Sequence, residues 1–373
     1  MFYSIQYHDS LVQQNIINVN SNEVCMKNAL IVGATGFGGL GLIEILLRHN
    51  GFRIKQLIAR KDTGKKISEV FPHMEGFCDM YVQSTEEIDY NDIDIAFFST
   101  PDKAGMQLIQ SFYQRNIPVI DFSGDFRFNT INDYNIYAKN KGMNTEHAAP
   151  DILPHAVYGL PEKYAEKIKK ATIVGNPGCF AIAMILGLLP AVEEGIIDSE
   201  TIICDGKTGV SGAGKNPGEA NFYPQRYEDV NTYREGYHQH IVEVENIVNA
   251  HAKKKHTIFF VPQIVPLNRG ILVTIYADAI VTMDNEKLYD VYARYYKGKP
   301  FIHITQRSCH TTDVRGTNLC LIRPAIDKRT GKLFITSVID NLVKGQSGNA
   351  VQNANIMMGF DETEGLMVPA FYP

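Results

Sequence analysis

The sequence predicts an α/β fold in two parts: a doubly wound, Rossmann-type parallel sheet, followed by an α+β domain with a mixed, open-faced sheet. Three observations carry this expectation. Short apolar runs alternate with helical spacing through about residue 150. A glycine-rich turn joins the first run to the first helix. After residue 200 the apolar runs lengthen, and several alternate apolar with polar residues, as half-exposed strands do.

Taken in order, Ala29–Val32 is a short apolar run closed by glycines and reads as a buried strand. Leu40 to His49 follows with helical periodicity. Gln56–Ala59, Ile93–Phe98 and Pro118–Asp121 read as three further strands, with a helix expected over Ala104–Arg115 between the last two. In the second half, Phe180–Glu194 reads as an apolar helix. Thr201–Cys204, Thr257–Val261, Ile271–Ala277 and Leu333–Val338 read as strands. A long loop with four glycines is expected from Lys207 to Tyr233, and such loops often carry function. There is no internal repeat. The chain thus divides into an extension over residues 1–25, a nucleotide-binding domain over 26–175, and a catalytic and oligomerisation domain over 176–340.

A length of 373 residues suits two domains, and 45% hydrophobic residues fill a sizeable core. The net charge of -5 argues against nucleic acid as a partner. The one basic run, Lys253–Lys255, reads as a solvated helix end. No uncharged apolar stretch reaches 18 residues, so no membrane span is expected. Residues 1–25 lack Lys and Arg and fit neither a secretory nor a mitochondrial signal, which makes Met26 a reasonable true start. Cysteines 25, 78, 179, 204, 309 and 320 form no CxxC pair and no metal spacing. Reduced thiols, a cytoplasmic location and no metal are the expectation.

Gly33-Ala-Thr35-Gly36-Phe37-Gly38-Gly39 lies between the first strand and the first helix, in GxxGxxG spacing. Glycines there let the backbone turn tightly and approach a pyrophosphate, and the helix N-terminus adds unpaired N–H groups and partial positive charge. The second strand runs into Ala59-Arg60-Lys61 rather than into an acid. A cationic pair at that point suits the 2′-phosphate of NADP.

Gly175-Asn-Pro-Gly178-Cys179 immediately precedes the apolar helix. A thiol at a helix N-terminus meets the positive end of the macrodipole, so its pKa is expected to fall from about 8.5 toward roughly 3.5–7.5. Gly178 removes bulk beside the sulfur. Cys204 and Cys320 sit in apolar strand patterns and read as inert core. The alternative for Cys179, a buried cysteine starting a core helix, leaves the Asn-Pro-Gly turn without a reason.

His238-Gln-His240 opens a second helical pattern, and one of the two can serve as the acid/base near neutral pH. Residues at i and i+2 point in different directions, and the spacing leaves open which faces the thiol. An anionic substrate also needs cations and N–H donors. Arg127 follows the polar loop Asp121-Phe-Ser-Gly-Asp-Phe, where a doubly wound sheet places its ligands. Arg269 enters a strand of the second domain. Ser211-Gly212-Ala-Gly214-Lys215 offers a phosphate nest with an ammonium.

In this order the segments resemble the N-acetyl-gamma-glutamyl-phosphate reductase family, in the semialdehyde dehydrogenase superfamily, from about Met26 to near the C-terminus. The resemblance rests on Gly33-Ala-Thr-Gly36, Asp121–Arg127, Tyr158-Gly-Leu-Pro-Glu162, Gly175–Cys179 and Lys207–Gly214. It continues through His238–His240, Val265–Gly270, Gly316-Thr-Asn318, and Asp340–Gly345 with Gly348–Asn353. It implies NADPH as hydride donor, Cys179 as the acylated residue, and one of His238 or His240 as acid/base. It also implies that Ser99, Thr100 and Pro101 line the cofactor. By the same resemblance, the segment from residue 341 onward returns to the cofactor domain, with Gly348 and Asn349 near the nicotinamide half. The chain departs from the family pattern at Gln239, where Arg is usual, and at Phe37-Gly38, where Tyr-Thr is usual.

The implied reaction has two steps: displacement of inorganic phosphate from a small acyl phosphate by Cys179, then reduction of the thioester by NADPH. It belongs to arginine biosynthesis and to the oxidoreductases acting on aldehydes. The same chemistry on N-succinyl-glutamyl, aspartyl or amino-adipyl phosphate is the nearest alternative. An NADP-sensing binding protein without catalysis is the alternative from another class. A homodimer or homotetramer is expected from the open face of the second sheet.

Overall fold

The computed structural model describes residues 26–280 and 283–372, so the extension over 1–25, Cys25 included, lies outside the described residues. The first sheet has seven strands: β1 (Lys27–Val32), β2 (Phe52–Ile58), β3 (Val82–Gln83), β4 (Ile95–Phe98), β5 (Val119–Asp121), β6 (Ala156–Tyr158) and β7 (Ile173–Gly175). All pair in parallel, in the order β3-β2-β1-β4-β5-β7-β6. The central strands are covered on both faces, which is why β1 and β4 read as near-continuous apolar runs. Strand order reverses between β1 and β4, and the crevice at their carboxyl ends is where such sheets bind ligands.

The helix expected over Ala104–Arg115 is broken. A 3₁₀ turn spans Gly105–Gln107 and an α-helix only Ile109–Tyr113. Gly105 lies against the Asp121 carboxyl, where a Cβ would come within 2.9 Å of Oδ1, so the backbone follows the polar loop rather than a regular helix. The C-terminal helix Gly348–Met358 places Ala350, Val351 and Ala354 in the same core as Ile31 and Leu42 of the first sheet.

The second sheet holds β8 (Thr201–Thr208), β9 (Asn231–Thr232), β10 (Thr257–Ile264), β11 (Ile271–Asp278), β12 (Ile302–Ile304), β13 (Cys320–Ile326) and β14 (Lys332–Ile339). Their order is β12-β13-β14-β11-β8-β10-β9. β8 pairs with β10, and β12 with β13, in parallel; the other pairs are antiparallel. The expected strands are all present but longer, and β8 takes up the first residues of what reads as a loop from Lys207. One face packs on the helix Cys179–Glu193, of which nearly every residue is buried. Pro190 cannot donate to the Leu186 carbonyl one turn earlier, and Tyr296 Oη donates to it instead at 2.6 Å. Tyr292 Oη donates likewise to Gly187 O at 2.9 Å, so the interior proline leaves no orphan.

The other face is open. Phe259, Ile203, Tyr276 and Phe334 lie in register across β10, β8, β11 and β14. The first three are exposed, at 48%, 45% and 42%, which makes an apolar row on the surface. Among the described residues no helix is long and apolar enough to cross a membrane, and no group of three His, Cys, Asp or Glu is placed to hold a metal ion.

Candidate active site

A cavity of about 900 Å³ runs from the carboxyl ends of β1, β2 and β4 to the N-terminus of the helix Cys179–Glu193. One end is the glycine turn. Gly33 has φ +87°, and a side chain there would overlap the Ser99 carbonyl. Gly36 caps the helix Phe37–Leu46 with no side-chain hydrogen bond, so its first N–H groups stay open toward the cavity. Thr35, Phe37, Arg60 and Lys61 line the same end, and Ser99, Thr100 and Pro101 the middle. A Cβ at Gly38 would overlap Ser99 Oγ and lie 3.0 Å from Gln346 Nε2, so the departure from the family pattern makes room for those two side chains. Thr100 Oγ1, Gln346 Oε1 and His240 Nδ1 are buried without a hydrogen-bond partner. A cradle closed to side chains, an open helix N-terminus and unpaired polar atoms along one channel fit a dinucleotide.

The other end is the Asn-Pro-Gly-Cys turn. Asn176 N–H donates to Asp121 O at 2.7 Å, and its Nδ2 to Gln346 O at 3.1 Å. Its Oδ1 accepts from Asn349 Nδ2 at 2.8 Å. Gly178 caps the helix, its N–H donates to Glu243 Oε1 at 2.8 Å, and a Cβ on it would overlap the His240 ring at Nε2. Cys179 is the first helical residue and half-buried at the cavity wall. A Cβ on Gly345 would lie 2.8 Å from Cys179 Cβ, so one glycine admits the imidazole and another the thiol.

The electrostatics of the thiol differ from expectation. Burial pushes Cys179 up to about 11; the Phe180 N–H and Arg127 pull it down, and Glu243 raises it further. The helix dipole is present, but loss of water around the sulfur outweighs it. The histidines are also held neutral. Burial lowers His238 to about 3, and Arg234 and Lys141 repel its proton as well. Burial, then His238 and Arg127, puts His240 well below its usual value. Thiol and imidazole therefore line the same cavity uncharged.

The structure distinguishes the two histidines. His240 lines the cavity against Gly178. His238 is turned away, with its ring on Phe180, Tyr233 and Phe260, and its Nδ1 accepts the His240 N–H at 3.2 Å. It holds the start of the helix His240–His251, and that bond places the proton of its neutral ring on Nε2.

Several expected anion binders are placed otherwise. Arg127 lines the cavity, but its donors are committed: Nε to Asn176 O at 2.8 Å, Nη2 to Phe122 O at 2.7 Å, Nη1 to Glu243 Oε2 at 3.2 Å. Burial opposes its charge, and Glu243 together with Tyr137, Tyr158 and Asp121 more than offsets that. Arg127 is a clamp on the Asn-Pro-Gly-Cys turn rather than an open cation. Arg269 is outside the cavity lining, 3.8 Å from Asp340 Oδ2. Ser211 and Gly212 do line the cavity, with Ser211 Oγ donating to Asn268 O at 2.6 Å. Gly348 and Asn349 do not. Two bonds of the i→i−5 kind, Gly345 N–H to Asp340 O and Ser347 N–H to Leu342 O, widen Val343–Ser347 into a π-turn. The wider turn brings Gly345 and Gln346 to the cavity, and Asn349 stands behind, on Asn176 and on Gly159 O.

Sequence reasoning missed four contributors. Glu243 is fully buried and accepts from Gly178 N–H, Tyr158 Oη and Arg127. Its signal was its position one helical turn after His240. Lys344, in the π-turn, is fully buried and pairs with Glu162 at 2.6 Å, which ties that turn to the Tyr158–Glu162 segment. Lys141, paired with Asp102, lines the cavity near the histidines. Arg234 Nη1 donates to Gln239 Oε1 at 2.8 Å, between the two histidines, and has no acid partner among the described residues.

Glu243→Gln tests the clamp. It leaves Arg127 a buried cation without its partner, which costs about 3–5 kcal/mol. It also brings an amide where donors now converge. The expected result is a lower Tm and a kcat reduced by about 10- to 100-fold through misplacement of the Gly178 turn. Thermal unfolding and steady-state rates check this; an unchanged kcat would remove Glu243 from the site.

A second cavity of about 740 Å³ shares Arg127 with the first, but its lining holds no thiol and no histidine.

Comparison with known proteins agrees with this layout. Residues 28–171 match the family described as semialdehyde dehydrogenase, NAD binding domain, and residues 179–341 the semialdehyde dehydrogenase dimerisation domain. The N-acetyl-gamma-glutamyl-phosphate reductase of Oceanobacillus iheyensis is 38% identical, over 93% of this chain and 100% of its own. That of Methanocaldococcus jannaschii is 40% identical, over 91% and 98%. Among solved structures, aspartate semialdehyde dehydrogenase II from Vibrio cholerae superposes with a TM-score of 0.68 at 20% identity, over 90% of this chain and 99% of that one. Aspartate semialdehyde dehydrogenase with NADP from Candida albicans gives 0.64 at 17% identity, over 89% and 98%. These two share the fold.

Proposed function

The chain belongs to the N-acetyl-gamma-glutamyl-phosphate reductase family, and on that premise we propose that it reduces N-acetyl-gamma-glutamyl phosphate to N-acetylglutamate semialdehyde and inorganic phosphate, through a thioester on Cys179, in arginine biosynthesis. The observation that carries the reading is the meeting of Cys179, His240 and the glycine cradle in one cavity.

Gly33, Thr35, Gly36, Phe37 and Gly38 hold the dinucleotide backbone, Arg60 and Lys61 its 2′-phosphate, and Ser99, Pro101 and Gln346 the half that reaches Cys179. NADPH, when bound, supplies the hydride. The residues of the chain do the rest. Cys179 Sγ bonds to the acyl carbon, the carbon–oxygen bond to phosphate breaks, and His240 takes the thiol proton. When the aldehyde leaves, His240 returns that proton to sulfur. The buried pair does not need a standing thiolate, because proton transfer within it creates no net charge, and a substrate anion favours the imidazolium. Glu243 and Arg127 position the turn.

Lys141 and Arg234 supply the cationic rim for the anionic substrate, with Arg234 standing in for the arginine that Gln239 replaces. Arg234 acts on both histidines and on Lys141, which burial and then Arg234 draw down to about 8. Ser211 and Gly212 complete the substrate end. The cofactor unit is 26–175 completed by 341–373, and the catalytic and oligomerisation unit is 176–340. The row Phe259–Ile203–Tyr276 is the self-association face of a homodimer or homotetramer. The unpaired thiols suit a cytoplasmic location.

The reverse reaction tests the function. N-acetylglutamate semialdehyde, NADP and phosphate should yield NADPH with turnover only when all three are present, and no more than one NADPH per site without phosphate. A signal with N-succinylglutamate or aspartate semialdehyde instead would move the substrate and keep the chemistry. No signal with any aldehyde, despite tight NADPH binding, would favour a sensing protein.

A further inference from the structure

The glycine-rich loop after β8 does not stay within its own domain. Its base is fixed on the second sheet: Val210 N–H donates to Leu267 O at 2.8 Å, Ser211 Oγ to Asn268 O at 2.6 Å, and Asn341 Nδ2 to Ser211 Oγ at 3.0 Å. Gly214 then turns the chain with φ +88°. The next side chain, Lys215, crosses the cavity to the glycine turn of the first sheet. Its Nζ donates to Thr35 O at 3.4 Å and stands 4.2 Å from the centre of the Phe71 ring.

Lys215 therefore lines the same cavity end as Arg60 and Lys61, from the opposite wall. Among the described residues none of these three cations forms an ion pair. Asp62, the nearby carboxylate, is taken by Lys65 at 2.8 Å. That hydrogen bond holds Asp62 below its usual range, with Lys215 and Lys61 adding to it, which places all of these charges in one neighbourhood. Three cations without an ion-pair partner, gathered from two domains with only the charge of Glu86 acting on Arg60, repel unless an anion lies between them. A long carbonyl contact and a ring face are weak resting partners for an exposed ammonium, so it is available to move.

We propose that Lys215 is a third cation of the 2′-phosphate site of NADPH, delivered from the second domain, so that discrimination between NADPH and NADH needs both domains. This rests on the reading of the cavity as the NADPH site. It reassigns Lys215 from the substrate phosphate to the cofactor and makes the loop 209–216 a strap across the cofactor. Binding of NADPH moves the Lys215 ammonium from Thr35 O to the 2′-phosphate and holds the strap over the glycine turn, and NADH does not.

The test is calorimetric titration of the full chain with NADPH and with NADH, without substrate. Lys215→Met keeps the apolar stem and removes the charge. NADPH should bind about tenfold more weakly to it, as for loss of one charged hydrogen bond, while NADH changes by less than about twofold. Lys215→Arg should restore most of the NADPH affinity. Equal losses for both dinucleotides would overturn the assignment in favour of a pyrophosphate contact. Unchanged affinity for both would show that the ammonium stays on Thr35 and Phe71. Arg60→Ala, on the first domain alone, separates the two levels: if it and Lys215→Met both leave NADPH preference intact, the 2′-phosphate does not lie at this end. If only Lys215→Met does, the cavity reading stands and the strap fails.

Discussion

Cys179→Ala loses turnover by about 10⁴-fold or more in both directions, while NADPH binds within about twofold of the parent chain. No other thiol can replace it among the described residues. Cys204 and Cys320 are fully buried in the second sheet, and Cys78 and Cys309 are outside the cavity lining. Alanine fits the site, because the first position of a helix accepts it and the neighbour Gly345 leaves only the space a Cβ needs. The loss is therefore chemical and not a failure to fold. Glu243, Gly178 and His240 keep their places, and the glycine cradle is remote from the change. Cys179→Ser should be nearly as inactive, since a buried hydroxyl ionises still less readily than the thiol. Single-turnover rates and calorimetry with NADPH check both variants. A retained rate within tenfold would mean that hydride reaches a non-covalent acyl phosphate.

The second large effect concerns pH. A thiol pushed up to about 11 has about one molecule in 10⁴ ionised at pH 7. Thiolate is the reactive form, so alkylation of Cys179 by iodoacetamide in the enzyme without ligands rises about tenfold per pH unit from 7 to 10, a span of about 10³. The sign follows from burial: a raised thiol pKa suppresses the reactive form at low pH and releases it as pH rises. Lowered histidine values act in the same direction, because a neutral His240 does not hold a thiolate beside it. Addition of a non-reacting acyl-phosphate analogue should shield the thiol at every pH. A rate that levels off between pH 5 and 7 would show a standing thiolate–imidazolium pair, with the helix dipole prevailing over desolvation.

What was legible in the sequence was what neighbouring residues encode. The Gly33–Gly39 turn and the Gly175–Cys179 turn are legible as local glycine spacings, although the contacts that exclude side chains at Gly33, Gly175 and Gly178 come from Ser99, Phe126 and His240, far along the chain. The buried strands β1 and β4 are likewise legible as local apolar runs. The partners of charges were not. Arg127 meets Glu243 across 116 residues, and Lys344 meets Glu162 across 182, so neither pairing has a local signature. Arg127 consequently read as an open cation, although the fold makes it a clamp. The Cys179 thiol has the same division between local and distant causes. The helix dipole can be read from one turn, whereas desolvation sums over every element packed around the sulfur. The family resemblance alone puts Gly348 and Asn349 near the nicotinamide half. The π-turn at Val343–Ser347 shifts the register and brings Gly345 and Gln346 there, and a single widened turn leaves no mark in hydrophobic periodicity. His240 is separated from His238 by contacts distant in sequence, its own ring against Gly178 and the His238 ring on Phe180 and Phe260.

Trapping the thioester on Cys179 distinguishes covalent from non-covalent reduction. The protein is incubated with N-acetylglutamate semialdehyde and NADP, without phosphate, and its intact mass is followed. The account predicts a gain of one N-acetylglutamyl group, located on the peptide that carries Cys179, and its release with phosphate in step with a second turnover. NADPH formation without any mass gain, or a mass gain on another residue that phosphate does not release, would contradict it.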